Sequence, residues 1–149
     1  MDSKSFKKKA IEEFSKTGGF LWKREIKKLY RCFDDYAIVV DFQKSNYSNG
    51  YYVNFSIVIL SLHKEDFLAV KVPDLFGRIG SNSSGFFDLN ESDDLLSTNL
   101  KNAVKRFISI FEGGLRRYLE VYPEAIHVVP VKSRSYFEQH GFSWQRTNP

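Results

Sequence analysis

Residues 41–60 read DFQKSNYSNGYYVNFSIVIL, and this stretch decides the fold. Two runs rich in aromatic and β-branched residues flank Asn49-Gly50, the strongest short signal for a β-hairpin. A two-residue type I′ turn needs positive φ at both positions, which asparagine and glycine tolerate. With Asn49-Gly50 as the loop, Ser48 faces Tyr51 and paired residue numbers sum to 99. Phe42 then pairs with Ile57 and Val40 with Ile59, and Val53 and Phe55 share their face. Gln43–Ser56, Ser45–Asn54, Tyr47–Tyr52 and the acid Asp41 fall on the opposite face. An antiparallel sheet with one dry and one wet side produces this segregation, and a one-residue slip would destroy it.

Working outward, the strand period extends over Phe20–Leu62. It predicts a strand within Leu29–Phe33, a turn at Asp34-Asp35, and strands over Tyr36–Ser45 and Tyr51–Leu60. Before it, Phe6, Ala10, Ile11 and Phe14 form one stripe of an amphipathic helix over Ser3–Lys16, which Gly18-Gly19 ends. Downstream, a strand is expected around Phe67–Val72 and a brief one at FFDL (residues 86–89). Leu96, Leu100, Ala103, Val104, Phe107, Phe111, Leu115 and Tyr118 recur at threes and fours, predicting a long helix over Asp93–Tyr118. Gly113-Gly114 is expected to bend or break it, and Asn90, Ser92 or Asp93 to cap its start. AIHVVPV (residues 125–131) reads as a last edge strand and SRSYFEQHGF (residues 133–142) as a short helix closed by Gly141. The expected architecture is a single α+β domain over residues 1–149. An antiparallel sheet built around the central hairpin is packed by an N-terminal and a long C-terminal helix.

Composition narrows the classes. With 14 Phe, 8 Tyr and 2 Trp the chain carries ample aromatic surface for a core or an interface. The lone cysteine, Cys32, excludes an internal disulfide and a cysteine-ligated zinc site. No secretory signal is read at the N-terminus, and no apolar run reaches bilayer length, so a cytoplasmic protein without membrane attachment is expected. The net charge of +4 is uneven: the balance is +6 over residues 1–31, −6 over 32–100 and +4 over 101–149. That is no uniform nucleic-acid footprint.

The familiar catalytic and cofactor signatures are missing. There is no phosphate-cradling glycine loop, no dinucleotide fingerprint and no serine nucleophile elbow. His63, His127 and His140 have no metal-ligand spacing with one another or with Cys32, and the acidic run before the helix reads as capping. YFEQHGF is similar to the ending of some acyltransferases, but their Gly-rich cofactor turn has no counterpart here. No catalytic residue, metal or cofactor is therefore assigned.

Three features invite a binding role: the wet hairpin face (Asp41, Gln43, Ser45, Asn54 and Ser56, flanked by Tyr47 and Tyr52), Arg78 between two glycines in GRIG, and Trp22-Lys23-Arg24. Three readings use them. The first is a non-enzymatic protein-binding domain, with the hairpin face and Arg78, or the acids Asp66, Asp74, Asp88, Glu91, Asp93 and Asp94, as the partner surface. The second is a small-ligand binder or enzyme using Asp41, Gln43, Asn54 and Arg78 in a cleft. The third is nucleic-acid binding through Lys7, Lys8, Lys9, Lys23, Arg24, Lys27 and Lys28, which demands steep salt dependence.

Gly19-Phe20, Phe42-Gln43-Lys44-Ser45, Tyr52-Val53-Asn54-Phe55, Arg78-Ile79-Gly80 and Phe86-Phe87-Asp88-Leu89 occur in an order that resembles the bacterial family catalogued as domain of unknown function 4304. The resemblance covers roughly residues 6–120, and its members more often carry tryptophans where Phe86-Phe87 stand. It implies an α+β domain and no established reaction, cofactor or catalytic residue. Small single-domain bacterial proteins of this kind are sometimes immunity proteins, so the resemblance makes a toxin one expected partner.

Overall fold

The computed structural model describes residues 1–80 and 85–140. The chain runs α1 (Ser3–Gly18), β1 (Leu21–Lys23), β2 (Lys28–Cys32), β3 (Tyr36–Lys44), β4 (Gly50–Ile59), β5 (Leu75–Ile79), β6 (Phe86–Asp88), α2 (Asp93–Glu112), α3 (Gly114–Val121) and α4 (Val131–Gln139). Short 3-10 turns occupy Leu60–Leu62, Phe67–Ala69 and Pro123–Val128. The six strands form one antiparallel sheet in the order β1-β2-β3-β4-β5, with β6 continuing beside β4 past the end of β5. The fold is therefore α+β, as the sequence pattern implies.

Alternation sorts the strands into two faces. Leu29, Ile38, Val40, Val53, Phe55, Ile57, Leu75 and Ile79 point inward and are buried. The inward face receives α1 through Phe6 and Phe14, α2 through Phe107 and Phe111, and α3 through Tyr118. Phe55 sits at the centre, with ring centroids 4.9 Å from Phe107, 6.3 Å from Phe111 and 5.8 Å from Tyr118. Capping follows the local chemistry. Asp2 accepts from the Ser5 amide at 2.7 Å and starts α1, which holds the Asp2 carboxyl below its usual range. Gly19 ends the helix at φ 68. Ser92 is the residue that caps α2, accepting from the Leu95 amide, and the chain breaks at Gly113 before restarting as α3.

The hairpin departs from the register expected around Asn49-Gly50. Asp41 pairs with Asn54 and Lys44 with Tyr51, so paired numbers sum to 95 and the loop holds five residues, 45–49. Local hydrogen bonds explain the longer loop. Ser45 Oγ accepts from the Tyr47 and Ser48 amides, and the Ser45 amide donates to the Gly50 carbonyl. Asn49 is tied outward, donating to Asn90 Oδ1 and accepting from the Leu89 amide. Gly50 thus becomes the first residue of β4, where β6 crosses so closely that a Cβ would lie 2.3 Å from the Phe87 carbonyl oxygen. A shift of four is even, so every side chain within the paired strands keeps its expected face.

Other expectations fail for equally local reasons. Residues 67–69 form a 3-10 turn, not a strand, because Asp66 accepts from the Leu68 amide and caps the turn. Residues 123–128 are likewise a 3-10 turn, and Pro130 starts α4, so 125–131 supply no edge strand. The strand expected around Phe67–Val72 forms later in the chain, as β5 at Leu75–Ile79. Gly141, expected to close the last helix, lies outside the described residues. No helix among the described residues is long and apolar enough to cross a membrane.

Candidate functional site

The outward face of the sheet is read in rows across the strands. One row is Leu21, Tyr30, Val39, Ser56 and Phe76; the next holds Asp41, Asn54 and Arg78; a third holds Gln43, Tyr52 and Phe86. The helices α1, α2 and α3 all pack the other side. The chain after β4 returns across one end of this face, where Phe67 lies 5.7 Å from Tyr30 and Ala37, Val39 and Val58 are buried. Beside the hairpin loop the face carries no covering helix among the described residues.

The polar groups there are organised. Asn54 Nδ2 donates to Asp41 Oδ1 at 3.2 Å and to Gln43 Oε1 at 3.0 Å, which leaves Asn54 Oδ1 and the Gln43 amide nitrogen directed to other partners. The Arg78 guanidinium lies over the Tyr52 ring, 3.8 Å from its centroid. Arg78 makes no ion pair among the described residues. Phe76, two residues away on the same edge strand, is 58% exposed, and Leu21 at the opposite edge is 59% exposed. Lys23 and Lys28 pair across β1 and β2 on this face.

The structure thus brings together Asp41, Gln43, Tyr52, Asn54 and Arg78, and separates the other candidates. Ser45 and Tyr47 belong to the loop, not to the strand pairs expected with Asn54 and Tyr52; Ser45 orders the loop, and Tyr47 stands 97% exposed at its tip. The lysines divide, with Lys7, Lys8 and Lys9 on α1 and Lys23 and Lys28 on the far face of the sheet. Phe76, Phe86, Lys23 and Lys28 belong to the outward face but not to the site read from the hairpin.

The acids do not form one surface. Asp74 is fully buried, a correction to its place among the surface acids. Its Oδ2 accepts from the Ile59 amide at 2.7 Å and from His63 Nε2 at 2.8 Å, and its Oδ1 accepts from the Ser133 hydroxyl. Burial forces this, because an ionised carboxylate persists inside a protein only when its lone pairs are filled. The trio is not a catalytic triad: serine donates to the carboxylate, not to the imidazole, and all three side chains are buried. Asp66 caps a 3-10 turn, Asp88 accepts from the Asn90 amide, and Glu91 accepts from Asn99. Asp93 pairs with the Met1 amino group at 3.0 Å, and Asp93 and Asp94 face the α2 N-terminus. Among the described residues no group of three or more His, Cys, Asp or Glu side chains is placed to hold a metal ion.

A helix-backed antiparallel sheet whose outward face presents an ordered polar and aromatic cluster defines a small α+β domain. The chain belongs to the family described as Domain of unknown function (DUF4304), whose model matches residues 13–120. The match begins inside α1 and ends within α3, so it includes the whole sheet. No curated protein and no solved structure matches the chain.

Proposed function

We propose that this chain is a protein-binding domain that docks its partner on the outward sheet face beside the hairpin loop. One observation carries the reading: Arg78 lies over the Tyr52 ring, with its charge unpaired among the described residues, on the same strand face as the exposed ring of Phe76. Arginine and aromatic side chains supply most binding energy at interfaces. Stacking also restricts the guanidinium before binding, so less entropy is lost when its edge engages a carboxylate. The matching partner surface is a carboxylate beside an apolar group. Asn54 and Gln43 add hydrogen-bonding capacity, and Tyr47 extends the contact beyond the loop.

An immunity protein that neutralises a toxin is the form of this reading to be tested first. The acidic surface considered for it loses Asp74 to the interior, and most of its other acids have local partners. The toxin we infer therefore presents an acidic and apolar surface, not the basic cleft of a nuclease. The test is affinity capture from the source cells with wild type, Arg78→Glu, Phe76→Asp and, as a remote control, Lys105→Glu on α2. The reading requires a partner that wild type and Lys105→Glu hold and that the two face variants lose. A partner held equally by Arg78→Glu would overturn it.

Nucleic-acid binding keeps one supporting observation, the shared face of Lys23, Lys28 and Arg78. Asp41 in the same row as Arg78 opposes it. A band shift with short RNA or DNA that weakens steeply with salt would favour it over a protein partner. The small-ligand or enzyme reading through Asp41, Gln43, Asn54 and Arg78 lacks an enclosing wall among the described residues, since these groups lie along an open face.

A further inference from the structure

A recess of about 340 Å³ lies away from the outward face, where the β2–β3 turn, the α2–α3 break and α4 meet. Its lining includes Asp35, Tyr36, Leu115, Tyr136, Phe137 and His140. Its size falls within the range of small-molecule sites. The α2 pattern would continue as one helix but for Gly113-Gly114, which also line the recess. At Gly114, with φ 83, a Cβ would meet no atom within 4 Å, so the break borders open space.

The polar atoms at this recess are mainly acceptors. The Tyr136 hydroxyl donates to Asp35 Oδ2, so its proton is already used, and no described residue donates to Asp35 Oδ1. The Tyr136 carbonyl oxygen can only accept, so at its 2.7 Å contact His140 Nδ1 carries the hydrogen. In the neutral ring that leaves Nε2 as an acceptor. Burial, then neighbouring Asp35, pushes the Tyr36 phenol up to about 12, and burial with the Asp35 hydrogen bond raises that of Tyr136. Both rings therefore stay neutral at ordinary pH. Among the described residues, Arg116 on the rim is directed to Glu120 at 3.5 Å, and Arg31, close enough to Tyr36 to act on its phenol, lies over the Phe33 ring 4.6 Å from its centroid.

The geometry points to a site for a small organic cation, an ammonium group on a short apolar body. The ammonium would sit against the Asp35 carboxylate, with its body beside the partly exposed Tyr136 ring and the Gly113-Gly114 backbone. Carboxylate and aromatic faces both favour such a group over a neutral molecule of equal shape, the first by charge and the second by the ring quadrupole. This site is independent of the proposed partner surface, because none of its lining residues lies on the outward sheet face.

The test titrates the full chain with choline chloride and, in parallel, with its uncharged isostere 3,3-dimethylbutan-1-ol, following amide resonances by NMR. Choline is expected to give saturable shifts at Gly113, Gly114, Leu115 and His140, with the isostere at least about tenfold weaker. Asp35→Asn should weaken choline binding by a similar factor. Tyr136→Phe, which keeps the carboxylate and releases its Oδ2, should bind choline at least as tightly as wild type. Equal binding of the two probes, or no saturation below about 10 mM choline, would overturn the proposal. If Asp35→Asn fails to fold, the isostere comparison and Tyr136→Phe decide.

Discussion

Replacing Asp74 with alanine should destabilise the domain far more than removing any surface acid. The substitution leaves three buried donors without their acceptor: the Ile59 amide, His63 Nε2–H and the Ser133 hydroxyl. A stranded buried donor costs about 1–3 kcal/mol. The Ser133 hydroxyl can rotate toward another acceptor, whereas the Ile59 amide is fixed in the backbone at the end of β4. Counting the two fixed donors fully and the hydroxyl in part gives a loss of about 3–5 kcal/mol. Domains of this size have about 5–15 kcal/mol in total, so a folded but weakened protein is expected. At about 2–4 °C per kcal/mol for a chain of roughly this length, the melting temperature should fall by about 6–20 °C. Asp74→Asn keeps the shape and one acceptor oxygen, and its amide can donate to a rotated Ser133 hydroxyl, so it should cost about half as much. The assay is urea unfolding followed by far-UV circular dichroism at fixed pH, with both variants compared to wild type. A loss under about 1 kcal/mol for Asp74→Ala, or an Asp74→Asn no milder than Asp74→Ala, would refute the account of Asp74 as a buried acceptor hub.

Other substitutions separate the core from the proposed face. Phe55→Ala removes the ring at the centre of the aromatic cluster and should cost about 3–5 kcal/mol in the same urea assay. Arg78→Ala should change stability by less than about 0.5 kcal/mol, because the side chain is exposed and unpaired among the described residues, while partner capture is lost. Gly50→Ala should destabilise by about 1–3 kcal/mol, since its methyl would meet the Phe87 carbonyl oxygen; a neutral result would mean that β6 can move away. Burial raises the Tyr36 and Tyr118 phenols from 10.0 to about 12. The unfolded chain loses those protons first, so the stability they contribute is intact below pH 10 and is lost as pH rises toward 12. Alkaline unfolding of Tyr36→Phe or Tyr118→Phe should show a shallower fall over that window.

How far the sequence reveals this molecule depends on which physical quantity each feature rests on. Face assignment rests on parity. The register around Asn49-Gly50 is displaced by four residues, yet Phe42, Val53 and Phe55 still face the helices and Asp41, Gln43 and Asn54 still face away. The α2 stripe is legible for the same reason, since periodicity survives small errors in the boundaries. What parity does not carry is the neighbour across the strand. Asn54 meets Asp41 rather than Ser45 because hydrogen bonds from Ser45 and Asn49 lengthen the loop, and these outweigh a two-residue turn preference. Strand β5 is obscure for a different reason. In Leu75-Phe76-Gly77-Arg78-Ile79 the inward positions are Leu75, Gly77 and Ile79, so a glycine stands where alternation calls for a large apolar residue. The reason is packing: a Cβ on Gly77 would lie 2.9 Å from the Phe55 ring, so the central aromatic occupies the space. The aromatic side chain of this strand faces outward instead, as the exposed Phe76. The inversion that hides β5 from a periodicity reading therefore creates the apolar half of the proposed docking face, and the pairing of Arg78 with Asn54 supplies the polar half. Enlarging Gly77 should push β5 off Phe55 and disturb both halves together. Gly77→Ala should thus lower stability and partner capture in step, whereas Phe76→Asp should lower capture alone. If Gly77→Ala lost stability and kept capture, the link between core packing and the face would be wrong.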